Sequence, residues 1–126
     1  MAVVASFAWA SARAFEPQTN YMLHCMGCHT PDGSGEPGRV PSVKATLVPF
    51  ALLPEGRRYI VQVPGAARSP LSDRDLAAVL NWMMHNLAAQ GRRTPALFTA
   101  AEVGRYRRTP LVEVRPMRAR LLREIQ

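Results

Sequence analysis

Cys25, Cys28 and His29 stand together in the string Cys25-Met26-Gly27-Cys28-His29. Two thiols three positions apart, followed directly by an imidazole, form the attachment signature of a c-type haem. The spacing follows from the chemistry. One helical turn separates the sulfurs, so both reach the two vinyl groups of one porphyrin and form thioethers. His29 then projects toward the metal and can bind iron from the proximal side. Covalent attachment also holds a flat apolar cofactor in a chain too short to enclose it by packing alone.

Other chemistries of the same residues are less well supplied. A C-x-x-C dithiol couple belongs in a βαβ setting, and no such pattern surrounds 25–28. Structural zinc needs further Cys or His ligands at finger-like spacing. The chain has two cysteines in all, and its other histidines are His24 and His85.

A chain of 126 residues forms one small domain with little room for a second core. Its 11 prolines and 8 glycines crowd between 31 and 70, so the middle third is expected to be irregular. The net charge is +7, and Lys44 is the only basic residue, apart from the histidines, that is not Arg. Such a surface favours anionic partners, either an acidic docking face of a redox protein or a phospholipid surface. Nucleic acid is disfavoured, because no basic stretch is interleaved with stacking aromatics. The arginines are spread along the chain, as on an ordinary solvated surface.

Residues 1–14, MAVVASFAWASARA, read as a signal peptide. The run 2–10 is apolar apart from Ser6, and Ala12-Arg13-Ala14 supplies the small-x-small pattern before a cleavage site. No Lys or Arg flanks Met1, so the n-region is not basic. The run is too short for a conventional transmembrane helix. Since c-type haem is attached outside the cytoplasm, both signals place the protein in the periplasm or otherwise exported.

The elements that must position the motif follow from capping and periodicity. A helix is expected over 16–25, with Pro17 in its first turn. The stretch 30–54 carries eight prolines and glycines in a loop that wraps something. Its apolar residues, Val40, Val43, Leu47, Val48, Phe50, Leu52 and Leu53, are candidates for one edge of the cofactor. A second helix is expected over 55–63, stopped by Pro64-Gly65. A third, over 72–87, opens on the capping-box-like pair Ser72 and Asp75 and carries Leu76, Val79, Leu80, Met83 and Leu87 at helical spacing, with Gly91 ending it. Thr99 and Glu102 form another capping box. A last helix from about Leu111 sets Leu111, Val114, Met117 (or Arg118), Leu121, Leu122 and Ile125 against Arg115, Arg118, Arg120 and Arg123. Its apolar stripe is expected to pack on its own domain, although such a helix also suits a membrane or a partner. The resulting division is a leader over 1–14, a haem domain over 15–90 and a basic helical extension over 91–126.

A helix ending in C-x-x-C-H, a Pro/Gly-rich loop, an R-Y-I-V-Q-V helix and then L-S-D-R-D-L-A-A-V-L-N-W succeed one another in this chain. That order resembles the class I (mitochondrial-type) c-type cytochromes over 21–87. The segment 29–35, HTPDGSG, looks like the family loop after the proximal His, and 71–73, LSD, looks like the opening of its last core helix. The resemblance implies an all-α, cytochrome c-like helical domain around one covalent haem c. In such a domain the first and last core helices cross beside the haem. It also implies that Cys25 and Cys28 carry the thioethers and that His29 is the proximal iron ligand.

One departure matters. The family normally delivers an axial Met from the loop before the last core helix. Here that interval, 64–70, is PGAARSP and holds neither Met nor His. Met83, Met84 or His85 could supply the ligand from the helix, although Met at helical spacing is ordinarily core and His85 ordinarily surface. Otherwise the iron is five-coordinate, holds water or hydroxide, or takes a ligand from another chain. Arg57, Arg58, Tyr59 and Arg68 are the nearest polar residues along the chain, and propionate pairing or solvation would equally account for them. The implied function is an exported monohaem carrier of single electrons between redox partners, not itself an enzyme. The alternatives are a haem module with an open site for NO, CO, O2 or peroxide, or a haem-bearing docking subunit of a larger oxidoreductase.

Overall fold

The computed structural model describes residues 15–91 and 93–126; the expected leader over 1–14 lies outside them. All regular structure among the described residues is helical: α1 (Pro17–His24), α2 (Met26–His29), α3 (Val43–Ala51), α4 (Pro54–Gln62), α5 (Pro64–Ala67), α6 (Asp73–Asn86), α7 (Ala100–Tyr106) and α8 (Val114–Glu124). Among the described residues no helix is long and apolar enough to cross a membrane.

Capping explains most boundaries. Ser72 accepts from the Asp75 amide at the start of α6, and Thr99 accepts from the Glu102 amide at the start of α7. α6 stops well before Gly91. The Gln90 side chain donates to the carbonyls of Met84 and Ala88 at 2.7 and 3.0 Å, and the Ala89 amide turns away to the Lys44 carbonyl at 2.8 Å. These bonds satisfy the helix end without a glycine cap. The last helix also starts later than Leu111, because the Leu111 amide is bound to the Gln62 carbonyl at 2.8 Å and ties the connection to the end of α4.

The expectation of an irregular middle third is corrected by α3. Ser42 caps it by accepting from the Ala45 amide. Pro49 lies in its last turn, where the missing amide removes one hydrogen bond that the buried Leu47, Val48 and Phe50 offset. Gly56 fixes how α4 leaves this helix. A Cβ there would run into the backbone carbonyl of Phe50, which no rotamer change relieves. Gly56→Ala is therefore expected to cost on the order of 3 kcal/mol, measured as a lower denaturation midpoint.

The core joins α1, α3, α4 and α6 through Tyr21, Phe50, Val61, Leu76 and Val79, and α7 and α8 enter the same cluster through Val103 and Leu121. Tyr21 and Trp82 meet at 5.3 Å between ring centroids where α1 crosses α6, and Phe50 meets Tyr59 edge to face at 5.7 Å. The apolar stripe of α8 thus packs on its own domain.

Arg57 fastens the C-terminal segment to α4. Arg57 makes a bidentate pair with Glu102, both bonds at 2.7 Å, and its guanidinium also reaches the Ala96 and Leu97 carbonyls and lies 4.1 Å from the Phe98 ring centre. The Asn81 side chain holds Phe98 from the other side with two backbone hydrogen bonds. Hydrogen bonding from Arg57 holds the Glu102 carboxyl below its ordinary value of 4.5. A carboxyl depressed in the folded state stabilises above its unfolded pKa, and that contribution disappears as pH falls through the folded value. Thermal stability is accordingly expected to fall below about pH 4.5. Glu102→Gln should flatten this acid limb, at the cost of lower stability at pH 7.

Candidate haem site

The motif straddles a break between two helices. α1 ends at His24, Cys25 departs from helical geometry at φ −128°, and α2 carries 26–29. Cys25 is partly buried and Cys28 is exposed. Both are free thiols. Burial, with the neighbouring Cys28 sulfur adding to it, pushes the Cys25 thiol up to about 11. Redox-active dithiols depend instead on a lowered thiol pKa, so this environment weighs against a thioredoxin-like couple.

His29 is held for one face of a cavity. Burial lowers its pKa, with the Pro41 backbone carbonyl acting in the opposite direction. The ring is therefore neutral at pH 7, as a metal ligand must be. Its Nδ1 is nevertheless buried without a hydrogen-bond partner. The Pro41 carbonyl is close enough to favour a proton on the ring without completing a bond. An imidazole left unsatisfied in this way still lacks part of its environment.

The turn after His29 is tightly determined. Thr30 adopts φ +65°, a left-handed conformation that a β-branched residue rarely takes. Several bonds hold it there: the Tyr21 hydroxyl donates to the Thr30 carbonyl, and the Thr30 hydroxyl bonds Asp32 at 3.0 Å. Bonds from the Ser34 hydroxyl and amide, and from Thr30, bring the Asp32 carboxyl down to about 2. Gly35, at φ +71°, passes so close to the Val40 and Pro41 carbonyls that a side chain would not fit. This close approach brings Pro41 back to His29.

Cys25, His29 and Met83 open onto one cavity of about 260 Å³. Its walls come from α3 (Val43, Leu47, Phe50), α4 (Tyr59, Ile60), α6 (Leu76, Val79, Leu80) and α8 (Val114, Arg118), and Gly65, Ala66 and Ser69 face it from the 64–70 interval. The donor set suits a c-type haem: a thiol and a neutral imidazole beside an apolar slot. Among the described residues there is no group of three or more His, Cys, Asp or Glu side chains arranged to hold a bare metal ion.

The structure sorts the remaining candidates. Met83 and Met84 are both buried, but only Met83 lines the cavity, while His85 is exposed and does not. Of the loop residues, Val40, Val43, Leu47 and Phe50 line the cavity, whereas Val48 and Leu52 belong to a separate surface hollow. Of the polar group, Tyr59 alone lines the cavity. Arg57 is committed to Glu102, Arg58 lies over the Tyr106 ring at 5.5 Å, and Arg68 is exposed. The residue whose part the sequence left undecided is Arg118, read both as the alternative to Met117 on the apolar stripe and among the arginines of the opposite face. Its i+4 spacing from Val114 was the signal for the first, and the structure sets it on the cavity wall.

The 64–70 interval is locked by a residue 40 positions later. The Arg107 guanidinium donates to the carbonyls of Ala67 at 3.2 Å, Ser69 at 2.7 Å and Leu71 at 2.7 Å, and pairs with Asp73 at 3.1 Å. Three carbonyls of a short loop thus share one cation, and α5 stays against the cavity. No family model, curated protein or solved structure matches this chain.

Proposed function

We propose that this protein is an exported monohaem c-type cytochrome that carries single electrons between redox partners and is not itself an enzyme. The observation that carries this reading is the opening of Cys25 and His29 onto one apolar cavity, in a chain whose five-residue motif has the required spacing. The Cys25 and Cys28 thiols would each add across a vinyl group, sulfur to one carbon and hydrogen to the other, with no oxidant consumed. His29 would bind iron as the neutral imidazole. Bound there, haem supplies a one-electron couple, and the buried apolar walls exclude water from it. The resemblance to class I cytochromes supports the same assignment. Cys28 and Gly27 at the surface, with Met22 and Leu23 exposed on the helix leading into them, leave the attachment edge accessible to a partner. The net charge of +7 favours an acidic one.

The sixth iron position defines the branch point. Met83 is the better-placed sulfur, because it lines the cavity and Met84 does not. The 64–70 interval favours a second reading, a haem with an open side that binds small molecules, since Gly65, Ala66 and Ser69 present no ligand. Spectra of the oxidised and reduced protein, with Met83→Ala beside the wild type, test the branch. A far-red charge-transfer band abolished in Met83→Ala is the result expected for a carrier with Met83 on iron. A high-spin ferrous spectrum with rapid CO binding in the wild type would overturn Met83 ligation in favour of the open site.

A further inference from the structure

Helix α8 lies outside the stretch that resembles a cytochrome, yet it builds part of the cavity wall through Val114 and Arg118. Arg118 is partly buried there, with its guanidinium carbon 5.5 Å from the Phe50 ring centre. It is near enough to the buried Tyr59 hydroxyl to oppose the rise that burial imposes on the Tyr59 pKa. No carboxylate pairs with Arg118 among the described residues. The other arginine on this cavity, Arg39, is exposed and already bound to Glu36 at 3.1 Å. A guanidinium and a phenol thus converge on an apolar slot, with no anion among the described residues paired to the guanidinium. A partly desolvated cation in that position calls for an anionic partner.

We propose that Arg118 and Tyr59 bind a propionate of the haem, so that the C-terminal extension is part of the cofactor site rather than only a docking arm. The inference rests on the haem assignment above. A porphyrin tied at Cys25 and Cys28 brings its two carboxylates into the cavity at fixed stoichiometry. One of them meets the fork of Arg118 and the hydroxyl of Tyr59. Arg118 is a positioning residue here, acting on the periphery of the cofactor and not on the iron.

The test uses the full chain matured in a host competent for c-type haem attachment, with Arg118→Gln, Arg118→Lys and Tyr59→Phe. Resonance Raman reports the propionate bending modes, and a redox titration reports the potential. Removing the cation leaves the carboxylate charge unneutralised, which favours ferric iron. Arg118→Gln is therefore expected to lower the potential and shift a propionate mode. Arg118→Lys should largely restore the potential, and Tyr59→Phe should shift the same mode by less. Unchanged propionate modes in Arg118→Gln and Tyr59→Phe would overturn the proposal while leaving the haem assignment intact. Unchanged modes together with a several-fold loss of azide affinity in Arg118→Gln would also overturn it, placing the guanidinium over the iron instead. Absence of covalent haem from the wild type would remove both readings, and is distinguished by mass alone.

Discussion

Replacing Cys25 and Cys28 together with Ala is expected to abolish covalent haem completely, whereas either single replacement leaves one thioether and poor retention. The difference is one of kind. With one sulfur left, a single bond would still keep a porphyrin beside His29. With none, only the apolar walls and the His29 imidazole would be left to hold it. Intact mass after denaturation reads the result directly, as the protein mass alone in the double variant and the protein plus one haem in the wild type. A double variant that retained haem through denaturation would overturn the assignment of these two sulfurs. His29 would keep its place in that experiment, since the Gly35 amide bonds its carbonyl and the Thr30 turn follows it, both independently of the thiols.

Arg107→Ala is expected to produce the largest loss of stability from any single side chain of the C-terminal segment, about 3–5 kcal/mol. The guanidinium is largely buried, at 14% exposure, and its removal leaves the Ala67, Ser69 and Leu71 carbonyls without that donor. Unmade bonds of this kind cost more than made ones contribute. Denaturant unfolding measures the loss. Arg107→Lys should recover only a small part of it, because one ammonium cannot reproduce the fork that reaches three carbonyls. A loss below about 1 kcal/mol for Arg107→Ala, the range of an exposed ion pair, would refute the clamp. The change should also reach the cavity, since the loop it holds sets Gly65, Ala66 and Ser69 on the wall.

The motif and the principal helices were legible in the sequence because they depend on local rules. Ser72 with Asp75 and Thr99 with Glu102 announce helix starts within four residues, and the stripe Leu76, Val79, Leu80, Met83 announces a buried face. The sequence pattern could not separate Met83 from Met84, because both fall on faces that the neighbouring helices cover. Only the packing of α1 and α7 around α6 decides which of the two meets the cavity. α3 escaped notice because the surrounding prolines and glycines speak for loop, while the Ser42 cap and the burial of Leu47, Val48 and Phe50 prevail over them. Arg107 and Arg118 were invisible as functional groups for a related reason. Each acts on residues 34 to 68 positions earlier in the chain, and the local pattern does not announce those partners.

The placement of α8 has a consequence for the order of assembly. Arg120 pairs with Glu55 at 2.7 Å across 65 residues, Leu111 is hydrogen-bonded to Gln62, and Leu121 is fully buried. Helix α8, far along the chain from the motif, is thus a founding member of the core. The cavity around Cys25 and His29 cannot close before α8 docks, because Val114 and Arg118 form part of its wall. Contacts of such long sequence separation form slowly, so closure comes late in folding. Until that closure the two thiols and the imidazole stay open to solvent, so lateness in the fold would serve as an entry window for the proposed haem.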